Sequence, residues 1–323
     1  MLISIIVPAY KRTDQAITTI KLLLAAQLRL IDQMEIIVVD NSPNNNLKKR
    51  LALLPAHNIK YLHLLEKNIA KNKNIGAKKA KGQILIFCDS DIEIESNTIL
   101  ETINHFIHQK SAAAVGGKVF WKNNPYQKID RPRKEDRVLK IAAVNYTEAL
   151  YSRYFATYKK IFCHIGGYDE KVFYMHGEGS DLSIRYWRAG FPLTYNPKIK
   201  VHHVFDAPDS IALRIAHADW KVAKDYLLLA YKYNALALAG GNYAKTININ
   251  YQKFQQLANW HIIQGIGQNI NDICRAKKII DQYKLHDQPK YNFKFLEVFS
   301  DKTQFLQCIK KSPQRLNQII NKQ

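Results

Sequence analysis

The sequence predicts an α/β protein: a Rossmann-like, mostly parallel sheet flanked by helices over residues 1–206, then a mostly helical, basic appendage over 207–323. Three observations carry that expectation. Short apolar runs alternate with helically spaced segments through the first half. The runs are apolar at successive positions, as strands covered on both faces require. Beyond Asp206 the strand signal gives way to Tyr, Lys and Leu at helical spacing.

In chain order, residues 2–7 form a continuous apolar strand, and 13–26 follow as a helix with Ile17, Ile20 and Leu24 on one face. Residues 35–40 and 60–65 are the next strands, and 69–81 a basic helix. Residues 84–89 are a fourth strand, 96–109 a helix and 112–119 another strand. The pattern fails over 121–140, where Arg131, Arg133, Lys134 and Arg137 stand among polar residues; a long loop of this kind is functional or mobile. Residues 144–162 fit neither period, a helix opens at Glu178 and ends near Gly190, and 199–203 are a short strand. Ligands of such sheets lie at the carboxyl ends of the strands.

Composition narrows the partners. Hydrophobic residues make up 47% and charged residues 23%, as in globular proteins and unlike disordered ones. Forty-eight basic against 27 acidic residues give +21, an attraction for nucleic acid, an acidic membrane surface or an acidic substrate. Cys88, Cys163, Cys274 and Cys308 form no CxxC pair, which fits a reducing, cytoplasmic setting. The apolar N-terminal run stops at Pro8, too short for a signal peptide and suited to a buried strand. No run reaches the roughly 20 apolar residues of a spanning helix, so membrane contact is expected to be peripheral, on the inner face.

Several residue groups could do chemistry, and each has a plain structural alternative. Asp89-Ser90-Asp91 ends an apolar strand; paired carboxylates there suit Mg²⁺ or Mn²⁺ holding a diphosphate, or merely form a solvated turn. Asp40, at another strand end, could accept the N–H of a nucleotide base or form an Asx turn. Lys73, with Asn74 and Gly76, could bring a cation and close backbone to a diphosphate, while Lys78, Lys79 and Lys81 read as a solvated helix face. Glu178 and Asp181, at the start of a helix, are either dipole-stabilised capping groups or a general base for an acceptor hydroxyl. His202 and His203 point to opposite faces of their strand, so at most one can join Asp91 at a metal.

In their order and spacing these groups resemble family 2 glycosyltransferases of the GT-A fold. The likeness spans about residues 1–206 and rests on IIVPAYKR, IIVVDNS, NIAKNKNIGAKKAKG, ILIFCDSD, IGGYDEKVFYMHGEGSDLSIRYWRAGF and PKIKVHH. Within the family it is most similar to non-processive enzymes of the rhamnosyltransferase type, which build polysaccharide, lipopolysaccharide or lipid-linked glycans; the processive QxxRW signature is absent. The resemblance implies a nucleotide-sugar donor held by Pro8, Tyr10, Asp40, Lys73, Asp89 and Ser90. It implies a divalent metal, Mn²⁺ or Mg²⁺, on Asp91 and His203, and an inverting transfer to a glycan or lipid-linked acceptor. The family usually has Glu-Asp before the helix; here Gly179 follows Glu178, so Glu178 or Asp181 must supply the base. Tyr168, Arg131 and Arg133 are expected acceptor contacts.

Other classes fit less well. A nucleotidyltransferase needs a glycine-rich loop after the first strand, where this chain reads PAYKRTDQ. A nucleic-acid-binding protein should cluster lysines with aromatic residues on one face, whereas these lysines spread over the chain. A donor-binding relative without transfer activity is a further alternative, suggested by Gly179. The positive charge is assigned to docking on anionic lipid or an acidic carrier.

Overall fold

A computed structural model describes residues 2–27, 34–122, 138–174, 177–204, 270–283 and 302–321, and residues 224, 227–229, 232, 256 and 258–259. The loop carrying Arg131 and Arg133, and the boundary placed at Asp206, lie outside the described residues.

The elements run β1 (Ile3–Ala9), α1 (Thr13–Gln27), β2 (Met34–Asp40), α2 (Asn46–Leu51), β3 (Ile59–His63), α3 (Ile69–Lys79), β4 (Ile84–Cys88), β5 (Ile92–Ile94) and α4 (Thr98–His108). They continue with β6 (Ala114–Lys122), β7 (Val138–Ile141), β8 (Val144–Thr147), β9 (Tyr154–Tyr158), α5 (Lys159–His164), α6 (Glu178–Arg188) and β10 (Leu193–Val204). Two described helices follow, α7 (Ile270–Tyr283) and α8 (Lys302–Ile320).

All ten strands join one sheet in the order β3-β2-β1-β4-β9-β6-β10-β8-β7, with β5 on β10. The continuous apolar runs of β1, β2 and β4 pair in parallel, and β1 is buried throughout. Along β1, Ile5 and Val7 belong to one core with Ile17 and Ile20 of α1, while Ile6 joins the other with Ala70 and Ala77 of α3. Successive side chains therefore serve opposite layers, which is why the run has no polar face.

The sheet is mixed rather than uniformly parallel. The segment with no clear period supplies β8, β9 and α5, and β9 runs antiparallel between β4 and β6. Since β6 pairs with β10 in parallel, the carboxyl ends of β1, β2, β4, β6 and β10 open on one edge. The last described helix packs onto this domain: Phe305 and Leu316 of α8 are buried in the core layer that holds Tyr146 and Trp187. Among the described residues no helix is long and apolar enough to cross a membrane.

Candidate active site

The carboxyl edge gathers the acids. Asp89 follows β4, the chain turns at Ser90, and β5 runs back antiparallel to β10 with Ile92 opposite His203. That register sets Asp91 beside His203: the Val204 amide donates to the Asp91 carbonyl at 3.0 Å, and His203 Nε2 lies 3.3 Å from Asp91 Oδ2. His202 faces the other way, stacked on Phe120 at 5.0 Å with its Nε2 3.5 Å from Glu95. Arg12 Nη1 reaches the same Asp91 oxygen at 2.7 Å. The second oxygen, Oδ1, is buried and has no hydrogen-bond partner among the described residues. Burial alone would raise the Asp91 pKa, but the His203 contact and the charges of Arg153 and Arg12 hold it below its ordinary value. A carboxylate oxygen with no hydrogen-bond partner among the described residues, beside an imidazole, suits a hard divalent cation. Among the described residues no group of three or more His, Cys, Asp or Glu is placed to hold a metal ion by itself. A cation here would therefore take its remaining ligands from water and phosphate oxygens, as Mg²⁺ commonly does.

A second cluster lies beside the first. Ala70, Lys73 and Ala77 share the buried stripe of α3 at helical spacing, which draws the Lys73 side chain into the interior. It is 0% exposed, with Nζ 3.2 Å from Asp89 Oδ1, 3.4 Å from Glu178 Oε1 and 3.0 Å from the Ser152 carbonyl. Burial opposes this charge, yet Asp89 and Glu178 outweigh it and raise the Lys73 pKa. Burial, partly offset by Lys73, raises that of Asp89. The phosphate contact expected of Lys73 is thus not what its side chain makes: it joins two carboxylates and a carbonyl inside the protein. Arg153, which the sequence reading missed, adds a third cation; its carbonyl also accepts from the Asp89 amide at 2.8 Å. Burial opposes its charge, and Tyr151, Asp91, Asp89 and Glu178 together outweigh that.

Two other expectations are corrected. Asp181 is 0% exposed with both oxygens taken: Oδ2 by Arg185 Nε and Nη2 at 2.9 and 2.7 Å, Oδ1 by Lys232 Nζ at 2.6 Å. Both oxygens are thus engaged in ion pairs inside the protein, which makes Asp181 a structural anchor. Tyr168 is 2% exposed, its ring under Lys73 at 5.6 Å and edge-on to Phe87 at 5.5 Å, so it supports the cluster from below and offers no face to an acceptor. The place of the missing acid is filled: a Cβ on Gly179 would come within 2.7 Å of the Ser152 Cβ, closer than real contacts allow. Ser152 also supplies the carbonyl that receives Lys73, so one loop both excludes a side chain at 179 and holds the lysine.

The NIAKNKN and GGYDE motifs meet in space. Asn74 accepts from the Tyr168 amide at 2.8 Å and donates to the Tyr168 carbonyl and the Glu170 carboxylate at 2.9 and 2.7 Å. Asn68 caps α3 by accepting from Lys71 and donates to the Glu170 carbonyl. Gly167, at φ +66, turns the chain where a Cβ would strike Asn74 Oδ1 at 2.7 Å. The asparagines therefore clamp a turn. Lys78, Lys79 and Lys81 are exposed, as expected.

Asp40 ends β2 fully buried, accepting from the Ser42 amide at 2.8 Å and the Tyr61 hydroxyl at 2.9 Å. Ser42 in turn accepts from the Lys11 amide at 2.8 Å, so the β1–α1 turn spans from Asp40 to Asp91 through Lys11 and Arg12. Pro8 is buried in β1, and Ser90 is buried with its carbonyl accepting from Thr19. Tyr10 is 37% exposed beneath Lys11 and Lys67. A cleft of about 700 Å³ lies alongside, lined by Lys11, Arg12, Asp14, Asn46, Lys49 and Arg50 among others.

The α/β sheet thus carries paired acids, an imidazole and several cations along its carboxyl edge. Residues 4–170, more than half of the chain, match the family described as Glycosyl transferase family 2, and the chain belongs to that family. An uncharacterized glycosyltransferase of Rickettsia conorii is 32% identical over 90 residues, 28% of this chain and 14% of that protein, so the chain spans a small part of that relative's length. Among solved structures, Staphylococcus aureus TarS 1-349 in complex with UDP-GlcNAc is similar at TM-score 0.54 and 15% identity, over 88% of this chain and 89% of that one. The mannosyltransferase PcManGT from Pyrobaculum calidifontis, in complex with GDP-Man and Mn²⁺, is similar at TM-score 0.54 and 14% identity, over 98% and 83%. The fold is the GT-A fold of these glycosyltransferases.

Proposed function

We propose that this protein transfers a hexosyl or deoxyhexosyl group from a nucleotide-diphosphate sugar to a hydroxyl of a glycan or lipid-linked acceptor, with inversion, in surface polysaccharide or lipopolysaccharide synthesis. The observation that carries the proposal is the pairing of Asp91 with His203 at 3.3 Å beside Asp89. Relatives in complex with UDP-GlcNAc and with GDP-Man and Mn²⁺ support the donor class and the cation. Asp91 and His203 would hold Mn²⁺ or Mg²⁺. When bound, the cation would offset charge on the departing diphosphate. Asp40 and Tyr10 would border the base. Glu178 takes the acceptor proton; Lys73 grips it through Oε1 and fixes its orientation.

Glu178→Gln should lower sugar transfer by about 100-fold or more, the weight of a positioned base, while nucleotide-sugar affinity stays within a few-fold. Nucleotide release with UDP- and GDP-sugars and Mn²⁺, beside donor titration, measures both; undiminished release would exclude Glu178. A second reading, donor binding without transfer, is favoured by the packing that leaves no room for an acid at Gly179. It expects a Mn²⁺-dependent nucleotide complex and no release from the unaltered chain.

The charge of +21 supports docking on an anionic surface. Lys48, Lys49 and Arg50 of α2 are exposed, and Leu53 follows at 79% exposure. Replacing the three cations by Gln should cost about 3 kcal/mol of attraction to vesicles containing anionic lipid, at ~1 kcal/mol per cation, and reversing them to Glu should cost more. Flotation measures it; binding that ignores salt and charge reversal would remove this surface.

A further inference from the structure

We propose that Arg12 is a positioning residue that occupies Asp91 before the divalent cation does, and passes to the donor's diphosphate when the cation takes that carboxylate. The proposal rests on Asp91 being a metal ligand.

Asp91 Oδ2 receives Arg12 Nη1 at 2.7 Å and His203 Nε2 at 3.3 Å, while Oδ1 is buried with no hydrogen-bond partner among the described residues. A divalent cation on this carboxylate would stand within a few ångströms of the guanidinium, and like charges at that separation repel. One cation must give way. The cations of the site differ in how deeply they are buried. Lys73 is 0% exposed and held by Asp89, Glu178 and the Ser152 carbonyl, and the Arg153 guanidinium lies over the Tyr151 ring at 5.1 Å. The Arg12 side chain is 46% exposed.

The backbone beneath Arg12 does not move with it. Lys11 sits at φ +62, its amide donates to Ser42, and the Arg12 and Thr13 amides close the turn on the Tyr10 and Lys11 carbonyls at 2.8 and 2.7 Å. A fixed Cα with an exposed side chain gives the guanidinium a short radius of swing, from Asp91 toward the cleft it shares with Lys11, Lys49 and Arg50. There its planar fork would meet phosphate oxygens with paired hydrogen bonds. Arg12 thereby serves twice: in the unloaded protein it neutralises a buried carboxylate, and in the loaded one it faces the charge carried by the diphosphate. The exchange couples cation and nucleotide, since each favours the arrangement the other needs.

The test uses the full chain and the affinity of Mn²⁺, read as loss of the free-ion electron paramagnetic resonance signal, first without nucleotide and then with UDP or GDP. Without nucleotide, Arg12→Gln should bind Mn²⁺ about tenfold more tightly than the unaltered chain, the worth of one charge-assisted hydrogen bond. With nucleotide, Arg12→Gln should lose most of the mutual strengthening between Mn²⁺ and nucleotide, and Arg12→Lys should keep part of it. Asp91→Asn should lose Mn²⁺ in both conditions. If Arg12→Gln binds Mn²⁺ no more tightly than the unaltered chain while Asp91→Asn loses it, Arg12 is not the competitor and the metal assignment stands. If Asp91→Asn binds Mn²⁺ as well as the unaltered chain, the metal assignment itself fails and this proposal with it. No Mn²⁺ uptake by any variant overturns both.

Discussion

Asp91→Ala should abolish sugar transfer, by about a thousandfold or more, while the protein still folds. The substitution removes the carboxylate that His203 and Arg12 share, with the buried oxygen proposed for the cation, whose offset of diphosphate charge is worth several kcal/mol in the transition state. The fold should survive because Asp91 sits at the sheet's edge and Arg12, its nearest cation, is 46% exposed and can return to water. Nucleotide release and a thermal melt on the same sample separate the two effects. Turnover within a few-fold of the unaltered chain would take the metal role from Asp91.

Lys73→Met should act on stability first. The lysine is wholly buried and compensates two carboxylates, Asp89 and Glu178, and removing one partner of a buried ion cluster leaves charge stranded at about 3–5 kcal/mol. Denaturant unfolding should show a loss of that size near neutral pH. Its pH dependence carries a sign. Asp89 already has a raised pKa in the folded chain, and without Lys73 the largest charge opposing that rise is gone. A group with a raised folded pKa adds stability below its unfolded pKa and loses it as pH climbs through the folded value. The deficit of Lys73→Met should therefore shrink as pH falls through the carboxylate range, and Lys73→Met with Glu178→Gln should be less damaged than Lys73→Met alone. A loss below about 1 kcal/mol that ignores pH would mean the cluster is not held by this charge.

How much of this could be read along the chain depends on the range of the forces involved. β1, β2 and β4 were legible to within two residues because each is apolar on both faces, and α1 because its periodicity is helical. α2 and β5, with six and three residues, are too short for any period to register. β9 escaped because the signal in its neighbourhood is mixed, and its place between β4 and β6 depends on partners distant in sequence. Of the site, the strand-end acids were visible, and so was the rule that only one of His202 and His203 could meet Asp91. Arg153 carried no signal beyond one arginine in an ambiguous stretch.

The family, the parallel half of the sheet and the presence of acids along its carboxyl edge follow from sequence alone, because apolar runs, helical periods and strand ends are local properties of the chain. Tertiary structure decided what each charged group does. Asp181 turned out to be an anchor because Lys232, 51 residues away, and Arg185 take both its oxygens. Lys73 turned inward because α3 lays its buried stripe over Asp89 and Glu178, and Gly179 is bare because Ser152 stands where its Cβ would be. A charge acquires its role from the dielectric around it and the opposite charge within reach, and both are set only when segments distant along the chain meet.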